Sequence, residues 1–117
     1  MTAFRDDDHR AAFDAILRRM GRADDYHVAA AYLLALLDPL HTEDVFDFFS
    51  DAIRPGALCA PWQTGTSTRT TRLLFNLWNG YTEEGAEYLS TPENLFCCEL
   101  APFYWEAIKL RFPRYAE

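Results

Sequence analysis

Apolar residues recur along this chain at helical spacing rather than in strict alternation. Phe13, Ile16, Leu17 and Met20 fall on one face of a segment that Asp6-Asp7-Asp8 can start and Gly21 can stop. The carboxylates suit an N-cap and the positive end of a helix dipole. After the cap candidates Asp24 and Asp25, the run Val28 to Leu37 is apolar on nearly every face. That pattern predicts a helix in the middle of the domain, ended by Pro39. Thr42 predicts a third helix with Glu43 and Asp44 in its first turn. Its apolar residues Val45, Phe46, Phe49 and Ile53 would face inward, with Pro55-Gly56 as the stop.

Residues 54–66 read as irregular, and a fourth helix is expected near 67–79 with Gly80 just past its end. Leu73, Leu74, Leu77 and Trp78 form its core stripe, and Thr66 or Ser67 its cap. Residues 81–90 read as a loop. Thr91-Pro92-Glu93 opens a segment cut by Pro102, and a last helix spans about 103–112. With only two Val and three Ile, strand signals are weak. The expected fold class is all-α: residues 1–117 as one compact domain of five or six helices.

Composition narrows the function classes. Half the residues are hydrophobic and 15% are aromatic, which predicts a dense core. No apolar run reaches the roughly 18–20 residues of a membrane span. The first eight residues lack the basic and apolar parts of a secretion signal, so the expectation is a cytoplasmic protein with no membrane partner. The formal charge of −7 is uneven: residues 1–53 hold 11 acids and 5 arginines, residues 54–117 hold 7 acids and 6 bases. Direct nucleic-acid binding by the acidic half is disfavoured. Cys59, Cys97 and Cys98 form no paired framework and read as reduced, mostly buried thiols.

Four groups of residues carry candidate chemistry. Thr66 and Ser67, with Arg69 and Arg72 one turn on, suggest a helix N-terminus able to hold a phosphate or carboxylate. The bland alternative is a capped helix whose arginines pair with nearby acids. Glu43, Asp47 and Asp51 at i, i+4 and i+8, with Asp44 beside them, predict a helical row of negative charge. Such a row either imitates nucleic-acid phosphates on a basic partner or simply keeps the surface solvated. Three consecutive aromatics, Phe103-Tyr104-Trp105, cannot all face one core. With Phe112 and Tyr115 they point to a partner surface or a homodimer, Tyr104 and Trp105 being the chosen anchors. His9, His27 and His41 lack metal-ligand spacing, and no catalytic motif appears, so no metal, cofactor or catalytic residue is assigned. His9 is expected to pack beside the core or to cap a neighbouring element.

Trp62-Gln63-Thr64-Gly65-Thr66-Ser67, Phe75-Asn76-Leu77-Trp78-Asn79-Gly80 and Ala101 to Arg111 resemble segments of a family of small uncharacterised bacterial proteins. That family is also met in phages and mobile elements, and the similarity extends over most of the chain, including Asp8-His9. The resemblance implies no catalytic residues. It implies a setting in which small acidic phage proteins bind and block host machinery, CRISPR complexes included. The expectation is therefore a non-enzymatic interaction protein that inhibits a host protein or nucleoprotein complex. The rival is a small-anion or nucleotide-phosphate binding protein or enzyme built on Thr66, Ser67, Arg69 and Arg72.

Overall fold

A computed structural model describes residues 2–116 as an all-α domain with one small hairpin. Helix α1 spans Asp7–Met20 and is capped by Asp6, whose carboxylate accepts from the His9 backbone N–H at 2.7 Å. Arg18 and Arg19 complement its C-terminal end, and Gly21 closes it in the left-handed region at φ 71°. Helix α2 spans Asp25–Leu34, with Asp24 as its cap. It is buried from Ala29 to Leu34, because α1, α4 and α6 all pack against it. The apolar-all-round segment therefore occupies the centre, as its composition predicts.

A 3₁₀ turn, Pro39–His41, leads to α3, which is a single turn, Thr42–Val45. The chain then turns extended and forms a hairpin: β1, Phe46–Asp47, antiparallel to β2, Ala52–Ile53, with Phe46 opposite Ile53. A second 3₁₀ turn, Pro55–Cys59, precedes α4, Gly65–Asn79. Gly80 ends α4 at φ 78°. After a 3₁₀ turn at Glu87–Ser90 come the short α5, Pro92–Leu95, and α6, Ala101–Arg111. Pro102 lies inside the first turn of α6, where no backbone N–H bond is lost, instead of marking a boundary.

The core gathers Tyr32, Leu33 and Leu34 of α2, Phe46 of the hairpin, Leu74 and Phe75 of α4, and Tyr104 of α6, all fully buried. Leu77 and Trp78 pack at its edge. Among the described residues every buried side-chain polar atom has a hydrogen-bond partner.

The third helix departs most from expectation. Asp47 Oδ1 accepts from the backbone N–H groups of Phe49 and Ser50 at 3.0 and 3.2 Å, a local turn that competes with helical bonds. The Arg54 N–H then donates to Val45 O at 2.8 Å and ties the hairpin's base. Ile53 is only half-buried, and Phe49, expected in the core, is fully exposed at the hairpin tip.

Candidate functional site

The predicted anion site forms as a helix cap and not as a clamp. Thr64, two or three positions before the expected cap, accepts from the Ser67 N–H at 3.1 Å, and Ser67 Oγ accepts from the Thr64 N–H at 2.7 Å. This reciprocal pair forms a capping box at the helix end. Arg69 donates from Nε to Asn94 O at 3.0 Å, and Arg72 pairs with Glu83. Thr66 and Ser67 do line a cavity of about 290 Å³, but neither Arg69 nor Arg72 does. The charged residues there are Arg5, Asp38 and Glu99, a net negative set that opposes an anion.

The helical acid row is not formed, because α3 stops at Val45. Its four carboxylates turn to four different cationic or imidazole partners. Glu43 meets Arg19 at 2.6 Å, Asp44 meets His41 at 2.9 Å, Asp47 meets Arg54 at 3.4 Å, and Asp51 meets His27 at 2.8 Å. Hydrogen bonds from Ser50 hold the Asp47 carboxyl below the usual carboxylate range. Asp51 sits at φ 56°, a left-handed conformation that aspartate tolerates better than most residues.

His27 is the hub of that corner. Its Nδ1 lies 2.9 Å from Asp24, its Nε2 2.8 Å from Asp51, and its ring edges onto Trp78 at 4.9 Å. Burial lowers its pKa, but the hydrogen bonds and charges of the two aspartates outweigh that, and the net shift is upward. His9 is the contrasting case. Its Nδ1 accepts from the Arg5 backbone N–H at 3.0 Å, which leaves the ring proton on Nε2 to donate to Tyr32 O at 3.0 Å. Burial holds its pKa below the ordinary histidine value. Phe4, Tyr32 and Phe103 ring it edge-on or nearby. Tyr32 Oη donates to Ala3 O at 2.6 Å, and the Ala3 N–H donates to Glu106 at 3.2 Å.

The aromatic tail divides. Tyr104 is fully buried, its hydroxyl 2.7 Å from Thr70 Oγ1, so it is not available to a partner. Trp105 is 59% exposed, Tyr115 82% and Phe112 43%. These three, with Ile108, Lys109 and Ala116, line a groove of about 440 Å³. Arg111 stacks over Tyr26 at 3.6 Å and Phe112 at 4.6 Å, and donates to Leu77 O at 2.8 Å. Arg111 thus joins the start of α2, the end of α4 and the end of α6, beside the exposed rings of Tyr26 and Phe112.

The cysteines correct another expectation. Cys59 and Cys97 are exposed and Cys98 is half-buried, its thiol 3.7 Å from Tyr104 Oη. Among the described residues no group of three or more His, Cys, Asp or Glu side chains can hold a metal ion. Among the same residues no helix is long and apolar enough to cross a membrane.

The fold and its surfaces define a small all-α domain whose most distinctive exterior is aromatic. The chain belongs to the Family of unknown function (DUF6075), whose family model matches residues 1–117. No curated protein and no solved structure matches it.

Proposed function

We propose that this chain is a protein-binding domain that docks through the groove at the end of α6. The observation that carries the reading is the gathering of Trp105, Phe112 and Tyr115, all substantially exposed, around one concave surface. Large rings held at a groove are the side chains that dominate protein interfaces. Arg111, fixed between Tyr26 and Phe112, pre-orders the rim, so little ordering is lost on binding.

The partner proposed is a host protein or nucleoprotein complex of the nucleic-acid-handling, CRISPR type, which the chain would inhibit. The formal charge of −7, carried mostly by residues 1–53, supports long-range steering towards a basic partner that weakens in salt, while the groove, whose charged lining residue is Lys109, supplies the aromatic contact. The test is affinity capture from host lysate at low and high salt with wild type and the Trp105→Ala/Tyr115→Ala double variant. A complex retained by wild type and lost by the variant supports the groove. Equal recovery by both ends the reading, and recovery that ignores salt ends the electrostatic part.

A further inference from the structure

The hairpin is tied to α2 by a contact that only a charged ring can complete. His27 Nδ1 faces both oxygens of Asp24 at 2.9 Å, and Nε2 faces those of Asp51 at 2.8 and 3.0 Å. An ionised carboxylate accepts and never donates, so both ring nitrogens carry protons here and the ring is an imidazolium. A neutral imidazole has one N–H and one lone pair. When His27 loses a proton it turns that lone pair on one of its two carboxylates, and the contact becomes repulsive.

The two carboxylates are not held alike. Asp24 is the N-cap of α2 and accepts the His27 backbone N–H at 3.1 Å, so moving it uncaps the helix. The Asp51 carboxylate is held by His27, and its backbone sits at φ 56°, a left-handed conformation free to relax once that contact is gone. The other side of the turn has its own anchors. Asp47 accepts from the Phe49 and Ser50 N–H groups and pairs with Arg54, and Arg19 lies over the Phe48 ring at 3.9 Å. Asp51 is therefore the partner that yields, and the turn opens from its side.

The neighbouring elements leave that choice unchanged. From α4, His27 meets the uncharged edge of Trp78 at 4.9 Å. From α6 comes Arg111, stacked on Tyr26 and bonded to Leu77 O, which keeps its charge throughout. In α1, His9 bonds Tyr32 O, and burial keeps its titration on the acid side of 6.5. Burial opposes the charge on His27 too, but the aspartates outweigh it and move its titration above 6.5.

We propose that the contact of His27 with Asp51 is a proton-operated latch: loss of one proton from His27 frees Asp51 and loosens the hairpin tip, residues 48–51, from the start of α2. The fully exposed Phe49 ring then rides on a fixed turn below the transition and on a mobile one above it.

Backbone amide relaxation, followed by NMR from acid to alkaline pH beside the His27 ring shifts, tests the latch. In wild type the order parameters of Ser50 and Asp51 fall from about 0.85 to below about 0.6 with the midpoint of the His27 ring. Those of α2 and α4 stay constant. Asp51→Asn removes the fall, because an amide accepts from the imidazolium and donates to the lone pair of the neutral ring. Asp24→Asn removes it as well: the neutral ring accepts at Nδ1 and keeps its Nε2 proton for Asp51. Asparagine is a good N-cap and tolerates a positive φ, so both variants keep the fold. A tip whose order ignores the His27 midpoint in wild type, or still falls in either asparagine variant, overturns the proposal.

Discussion

His9 and His27 are both nearly buried, and both touch α2, yet their surroundings differ in kind. Around His9 the partners are a backbone N–H, a backbone carbonyl and aromatic rings, so the neutral ring with its proton on Nε2 fits and a second proton does not. Around His27 the partners are two carboxylates that still reach solvent at 49% and 36% side-chain exposure. There the charged imidazolium fits. The difference teaches that burial alone does not set a histidine's charge; the sign of its hydrogen-bond partners does.

Removing each ring breaks the comparison at its strongest point. His9→Leu leaves the Arg5 N–H and the Tyr32 carbonyl without their partner, at a cost of about 2–4 kcal/mol in urea unfolding at neutral pH. His27→Leu leaves two carboxylates that water can satisfy, and costs about 1–2 kcal/mol in the same measurement.

The pH dependence of those variants sharpens it. His9 has a lowered folded pKa, so its contribution is present above the unfolded value of 6.5 and is lost as pH falls through the window just below. His27 has a raised one, so its contribution is present below 6.5 and is lost as pH rises through the folded pKa. The two slopes oppose each other in wild type. Urea midpoints of His27→Leu should therefore fall on acidification just below pH 6.5, and those of His9→Leu on alkalinisation just above it. Parallel profiles for the two variants would contradict the assignment.

The smallest effect is expected from Asp51→Gly. It removes one carboxylate from His27 but relieves a left-handed residue at φ 56°, so stability shifts by less than about 1 kcal/mol. The His27 pKa, read from its ring proton shifts, moves down toward the ordinary value as that partner is lost.

Helices α1, α2 and α4 were legible because their caps and stops are local. Asp6, Asp24, Gly21 and Gly80 act within a turn of their own positions. The third helix was not, since Val45, Phe46, Phe49 and Ile53 match a helical face, while the Asp47 turn that interrupts it is joined by a contact, His27 with Asp51, that spans 24 residues. The Asp47 to Asp51 interval held a readable sign, an aspartate and a serine suited to a turn between aromatic residues. For the anion set, the two arginines found partners 25 and 11 residues away, which spacing cannot foresee. The triplet at 103–105 announced that one ring must be exposed; the choice of Trp105 over Tyr104 was set by how α6 rotates against α2 and α4.

The bond from Ala3 to Glu106 spans 103 residues, and α6 also supplies Tyr104 and Ala107 to the centre. During synthesis, α2 therefore emerges from the ribosome long before the helix that covers it. A nascent chain stalled short of α6 presents a greasy α2 to solvent or to a chaperone, and a truncated product ending near Ser90 is expected to aggregate instead of folding.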